Sequence, residues 1–199
     1  MINIILASGS PRRKEILSQI GVTFTVQPAQ GEEQITKQAP EDVVSQLSRQ
    51  KAEEVAAGAG PDTLVIGADT IVVLDGEILG KPGDEEEAVR MLKSLAGRSH
   101  QVFTGVTYCC RTEDTVRTKT FTECTEVELY PMSEEEIRSY VATGEPMDKA
   151  GAYAVQGLFA AYVKRLSGDF YNVMGLPVAK LCQELKADGI PFRSGGIGS

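Results

Sequence analysis

Twelve residues, Thr63 to Leu74, constrain this chain more than any other stretch. They read Thr-Leu-Val-Ile-Gly-Ala-Asp-Thr-Ile-Val-Val-Leu, the most apolar segment of the sequence. A run of this kind, rich in β-branched residues and bounded by turn residues, reads as a strand buried on both faces. Such a strand belongs inside a sheet covered by helices. Asp75-Gly76 follows, a pair favoured where both turn positions need positive φ, so the spacing predicts a hairpin in which Glu77 to Leu79 returns. Gly80-Lys81-Pro82 closes it. With Asp75 and Gly76 as the two loop residues, the register places Lys81 opposite Thr70 and near Asp69, unless a bulge at Gly80 shifts the facing.

Around this strand the chain alternates between strand and helix signals. Ile2 to Ala7 is a short apolar strand, and a helix runs from about Pro11 to the stop at Gly21. Val22 to Val26 reads as a strand and Gln27 to Ala39 as a polar loop. Pro40 opens a helix whose first turn carries Glu41 and Asp42, the sign the helix dipole favours; Gly58 to Pro61 ends it. Further helices are predicted over about 84–96, from the Ser133 to Glu136 capping box to Thr143-Gly144, and over about 176–187. Strands are predicted over Val102 to Arg111, Thr118 to Leu129 and Phe159 to Leu166. The fold class is α/β, with a mixed twisted sheet flanked by helices. One domain is expected over residues 1–190, with a flexible Gly/Ser-rich tail over 191–199.

Asp69 is the most telling residue. Aspartate is depleted in strands, and a carboxylate in an apolar run needs a partner or a task. It is either satisfied by backbone amides or serves as a metal ligand or general base. The second candidate is the start of the first helix. Ser8-Gly9-Ser10-Pro11 leads into Arg12, Arg13 and Lys14. Ser10 suits the N-cap and Pro11 the first helical position. Three cations in a first turn oppose the helix dipole. Helix-end amides, the Ser8 and Ser10 hydroxyls and two guanidinium forks make a phosphate site. The plainer alternative is a solvated basic patch.

Net charge sharpens this contrast. At −8, the chain is unsuited to broad nucleic-acid or acidic-membrane binding, which needs a basic surface. No apolar run approaches the ~20 residues that span a bilayer. Four cysteines without a CxxC, and a single histidine, indicate neither a zinc site nor a disulfide framework. A reducing cytoplasm is the expected compartment. Glu32 and Glu33 lie in a polar loop and are either idle or a second acidic contribution to a magnesium site, since Mg²⁺ takes one or two carboxylates plus substrate phosphates. Lys51 is a helix-surface lysine or a further phosphate contact. His100, without a matched acid or thiol, reads as structural. The basic residues Arg12, Arg13, Lys51 and Lys81 against the acids Glu33 and Asp69 together suggest phosphate plus metal.

Several blocks resemble the Maf family of nucleotide pyrophosphatases. They are Ser8-Gly9-Ser10-Pro11-Arg12-Arg13 with Glu15, and Gly67-Ala68-Asp69-Thr70 with Gly80-Lys81-Pro82. They continue with His100-Gln101-Val102 and Thr104-Gly105-Val106, then Thr143-Gly144-Glu145-Pro146 through Asp148-Lys149-Ala150-Gly151 to Gln156-Gly157, and finally Val173 to Pro177. The resemblance covers about residues 3–188. It implies a two-lobed fold with a central cleft, like that of the inosine-triphosphate pyrophosphatases. The implied reaction is hydrolysis of a nucleoside triphosphate to monophosphate and pyrophosphate with a divalent cation, Mg²⁺ or Mn²⁺. Under that resemblance Asp69 is the proton acceptor, and Arg13, Lys51 and Lys81 handle phosphate. Glu33 joins Asp69 at the metal. Arg12, Thr70 and Gln156 match the branch acting on dTTP and UTP, rather than the branch acting on 7-methyl-GTP. An amide at Gln156 offers a donor and an acceptor to a uracil or thymine edge. The alternatives are the same chemistry on 7-methyl-GTP or on modified pyrimidine nucleotides, and a non-catalytic nucleotide-binding regulator of septum formation. The sequence is silent on oligomeric state and compatible with a homodimer.

Overall fold

In the computed structural model, which describes residues 2–192, the long apolar run forms a strand over the predicted residues. The elements in chain order are β1 (Asn3–Leu6), α1 (Pro11–Gln19), β2 (Thr25–Val26), α2 (Pro40–Ala57), β3 (Thr63–Leu74), β4 (Glu77–Leu79), α3 (Glu85–Leu95), β5 (Ser99–Arg111) and β6 (Val116–Leu129). Then come α4 (Glu134–Val141), three 3-10 turns (Glu145–Asp148, Ala150–Ala152, Leu158–Tyr162), β7 (Val163–Ser167), α5 (Phe170–Met174) and α6 (Val178–Ala187). Among the described residues the strands make one mixed sheet in the order β2-β1-β3-β5-β6-β7, with β4 paired to β3. β1 runs parallel to both β2 and β3, whereas β3–β4 and β6–β7 are antiparallel. No described helix is long and apolar enough to cross a membrane.

Three expectations change. The strand predicted over Val22 to Val26 shrinks to Thr25–Val26. Gly21, at φ +74°, closes α1, and the Val22 amide is spent on the Leu17 carbonyl at 3.1 Å, so neither can join a ladder. The strand predicted from Phe159 begins only at Val163. Phe159 instead turns into an aromatic cluster with Tyr140, Tyr153 and Tyr162, its ring centroid 4.9 to 5.5 Å from theirs. The hairpin register holds at Val72–Leu79, and Asp75 and Gly76 have φ of 53° and 84°. β4 stops at Leu79, however, so Lys81 lies beyond the ladder rather than opposite Thr70. The Gly80 carbonyl accepts instead from the Gly151 amide at 3.0 Å, and Pro82 has no N–H to give. The five-residue helix α5 is too short for periodicity to reveal. The predicted tail over 191–199 falls, from residue 193 onward, outside the described residues.

Contacts divide the chain into two units. One comprises the segment up to Asp69, Thr104–Thr122 and the segment from Gly175; the other comprises Thr70–Phe103 and Glu123–Met174. In the first unit, α2 lies directly on β3 and β5. A Cβ on Gly67 of β3 would sit 2.6 Å from the Ser48 carbonyl oxygen, and one on Gly105 of β5 would run into the Val44 carbonyl. Glycine is needed at both positions for want of room. Buried hydroxyls link the layers: Ser48 Oγ is 3.0 Å from Thr107 Oγ1, which is 2.8 Å from Thr120 Oγ1. The Tyr108 hydroxyl donates to the Asp188 carboxylate at 2.6 Å, and Arg117 donates to its other oxygen at 2.8 Å, tying the end of α6 to the sheet.

The second unit packs α3 against α4. Asp84 caps α3, the Ser133–Glu136 capping box starts α4, and Arg138 bonds Glu86 across the pair and Glu134 within α4. His100 is buried, with Nε2 2.7 Å from the Tyr153 hydroxyl.

Gly67→Ala is expected to lower stability by about 1–3 kcal/mol, because a rigid helix backbone must yield to one methyl group; urea unfolding measures it. Burial lowers the His100 pKa from 6.5 to about 4. Between those values the unfolded chain binds the proton that the folded chain refuses, so stability falls with falling pH. His100→Gln is expected to remove that part of the decline, up to about 3 kcal/mol by linkage, in unfolding titrations spanning pH 6.5 to about 4.

Candidate active site

The first unit gathers six of the predicted residues, Ser8, Ser10, Arg13, Glu33, Lys51 and Asp69. Lys51 extends from α2 and Asp69 from β3. Lys51 Nζ is 2.5 Å from Asp69 Oδ1 and 2.8 Å from Glu33 Oε1. One ammonium thus holds two carboxylates, converged on a single point. The Lys51 and Asp69 side chains are only 18% and 14% exposed, so their attraction is screened much less than that of a surface pair. Glu33 is half exposed. Asp69 therefore has a lysine partner, not the backbone amides of the plainer reading.

Arg13 stands beside this group. Its Nε donates to the Gly175 carbonyl at 2.7 Å and its Nη1 to Ser8 Oγ at 3.0 Å. Burial lowers the guanidinium pKa, Asp69 raises it, Arg12 lowers it and Glu33 raises it. The two carboxylates and both arginines therefore share one field. Ser8 Oγ also accepts from the Ser10 amide at 3.3 Å. With both lone pairs used, the Ser8 hydroxyl keeps its proton to donate. Ser10 occupies the N-cap position, but its side chain makes no cap bond, so its expected capping role is not realised and helix-end amides stay available. The first turn of α1 holds no acid.

The loop carrying Glu33 is less free than its polarity suggests. Gln46, Gln50 and Glu54 follow one another at four-residue spacing along one edge of α2. Gln46 Oε1 accepts from the Thr36 amide at 3.1 Å. Gln50 accepts from the Gln34 amide at 3.1 Å and donates to the Gln34 carbonyl at 2.7 Å. Glu54 accepts from the Gln30 amide at 2.7 Å and the Gly31 amide at 3.1 Å. Backbone on either side of Glu33 is thereby clamped to the helix that bears Lys51. Sequence reasoning missed these three residues and the Gly175 carbonyl; the i, i+4, i+8 spacing was the available signal.

The remaining predicted residues divide between the units. Arg12, in the first unit, is half-buried and engaged in contacts of its own. Thr70, Lys81 and Gln156 belong to the second. Thr70 follows Asp69 in β3, and Lys81 is exposed just past β4. Gln156 is exposed at the tip of a tight turn closed by the Gly157 amide on the Ala154 carbonyl at 3.2 Å. Among the described residues no group of three or more His, Cys, Asp or Glu is placed to hold a metal. Among the described residues, Asp69 and Glu33 are two carboxylates drawn to one point by Lys51. Two hard oxygen donors match what Mg²⁺ takes from a protein alongside substrate phosphates.

Comparison with known proteins gives three results. The family described as Maf-like protein matches residues 3–188. A protein of Agathobacter rectalis named dTTP/UTP pyrophosphatase is 52% identical over 96% of this chain and 99% of its own length. One of the same name from Lachnoclostridium phytofermentans is 50% identical over 96% and 97%. Among solved structures, the Staphylococcus aureus Ham1 protein superposes with a TM-score of 0.54 at 16% identity, over 94% of this chain and 99% of that one. That likeness concerns the fold.

Arg13→Lys keeps the charge but cannot reach both Gly175 and Ser8. It is expected to weaken binding of inorganic pyrophosphate about tenfold, the equivalent of one charge-assisted hydrogen bond; isothermal titration calorimetry on the folded variant measures it.

Proposed function

The chain belongs to the Maf family, and we propose that it hydrolyses dTTP and UTP to the nucleoside monophosphate and pyrophosphate. The observation that carries this reading is the convergence of Asp69 and Glu33 on Lys51 beside Arg13, in a chain about half identical to proteins of that name. Modified pyrimidine triphosphates fall within the same reading.

The residues take roles according to their charges. Lys51 offsets the repulsion between Asp69 and Glu33 and so holds both carboxylates in one place. Asp69 Oδ1 is engaged by Lys51, which leaves Oδ2 to accept the proton of a water. That water attacks the α-phosphorus in line with the bond to the β-phosphate, and pyrophosphate departs. Arg13, Lys51 and Lys81 stabilise the charge that builds on the leaving group. Ser8 and Ser10 donate their hydroxyls, and the helix-end amides beyond Ser10 donate with them, to phosphate oxygens. A divalent cation, Mg²⁺ or Mn²⁺, would be held by Asp69 and Glu33 together with the phosphates, and its chemistry is charge neutralisation of the triphosphate. Arg12, Thr70 and Gln156 select the base.

Asp69→Asn preserves shape and removes the base. It is expected to lower kcat by about a hundredfold or more, the scale of lost general-base catalysis, with little change in melting temperature. Pyrophosphate release from dTTP, UTP and 7-methyl-GTP with Mg²⁺ tests the substrate assignment. Preference for 7-methyl-GTP overturns it, and no turnover of any triphosphate favours a binding regulator.

A further inference from the structure

The second unit contains a partly buried polar assembly that the proposed chemistry leaves unused. Gln156 is the exposed tip of the turn from Ala154 to Gly157, and both flanks of that turn are tied to the same two side chains. The Ala154 amide donates to the Tyr140 hydroxyl at 3.3 Å, and that hydroxyl donates to Glu145 Oε1 at 2.8 Å. On the other flank the Leu158 amide donates to Glu145 Oε2 at 3.2 Å. A Cβ on Gly157 would overlap the Glu145 carboxylate, so glycine there lets the carboxylate reach both flanks. Glu145 is itself secured, since Lys149 Nζ donates to its backbone carbonyl at 2.6 Å and the neighbouring Pro146 is buried. Burial, and then the bond to Glu145, push the Tyr140 phenol well above its ordinary pKa, which keeps it a donor.

We propose that Tyr140 and Glu145 are positioning residues for base selection, holding the 154–158 turn so that Gln156 meets the base edge in one orientation. The proposal rests on the reading of Gln156 as a base-selecting residue. An exposed side chain on a two-residue turn tip discriminates only if the turn does not rock, and misplacement by about 1 Å can weaken a recognition step about a hundredfold. The carboxylate and the phenol form one unit. Tyr140 reaches only the Ala154 flank and Glu145 only the Leu158 flank, and their mutual bond makes the turn rigid from both sides. The motif Thr143-Gly144-Glu145-Pro146 and the distant pair Gln156-Gly157 thereby acquire a shared physical role.

The experiment compares dTTP, dCTP and ribose 5′-triphosphate, which has no base, on the full chain and on Tyr140→Phe, Glu145→Ala, Glu145→Gln and Gln156→Ala. Tyr140→Phe keeps the ring packed 5.0 Å from Phe159, so the fold is retained. Tyr140→Phe and Glu145→Ala are each expected to reduce the preference for dTTP over dCTP in kcat/KM by about tenfold or more, mainly through KM. Both should turn over ribose 5′-triphosphate within about twofold of the parent chain, because the phosphate-handling groups are untouched. Glu145→Gln, which retains an acceptor for the Leu158 amide, is expected to recover most of the preference. Loss of preference in Gln156→Ala, with preference intact in Tyr140→Phe and Glu145→Ala, overturns the positioning role and leaves the base-selecting reading standing. Unchanged preference in Gln156→Ala overturns that reading and the proposal with it. An equal loss on ribose 5′-triphosphate marks the pair as merely structural and likewise overturns it.

Discussion

The close approach of α2 to the sheet is the constraint on which the first unit depends. Helices normally ride on a layer of side chains, but here helix backbone meets strand backbone at Gly67 and Gly105. Ser48, Ala52 and Val55 then pack into space that larger neighbours would have filled. The same approach shortens the reach from α2 to β3, so that Lys51, one turn beyond Ser48, meets Asp69, two residues beyond Gly67. A buried contact made for packing and a contact made for chemistry are consequences of one interlayer distance. This accounts for glycine at two motif positions where no positive φ requires it.

Charge is distributed by the same economy. In this acidic chain several cations are concentrated at one helix start. The first turn of α1 carries Arg12, Arg13 and Lys14 against the helix dipole, a conflict that a bound polyanion resolves. Arg13 is oriented by a backbone carbonyl and a hydroxyl oxygen. A guanidinium oriented in this way suits preorganised electrostatic stabilisation. Lys51 has the opposite task. It keeps two acids together that would otherwise repel one another, and the ladder of Gln46, Gln50 and Glu54 fixes the loop that delivers the second acid.

In the second unit the polar network has a different purpose. Tyr140 and Glu145 contact only main-chain amides on the turn that bears Gln156, so the turn's shape is set independently of the residue at its tip. Gly151, held in the left-handed region with its amide on the Gly80 carbonyl, fixes the segment next to Lys81 in the same manner. The backbone around Gln156 and beside Lys81 is thus anchored by hydrogen bonds from one irregular stretch, 145–158.

The sequence by itself determined the central strand, its hairpin turn, the capped helices and the identity of the charged residues, because each depends on local conformational preference or on periodicity. Asp69 could be singled out since a carboxylate within an apolar strand conflicts with its surroundings. The ordered motif blocks pointed to the family for the same reason, as residue identity is local information. What only the tertiary structure decided are the long-range pairings: Lys51 with Asp69 and Glu33, Arg13 with the Gly175 carbonyl, Glu145 with the Leu158 amide. It also decided the limits of the weaker elements, where one backbone amide had two suitors. Val22 closed a helix rather than joining a strand, and Phe159 joined an aromatic cluster rather than extending β7. These outcomes turn on which distant group arrives at hydrogen-bonding or packing distance, and no local preference along the chain encodes that arrival.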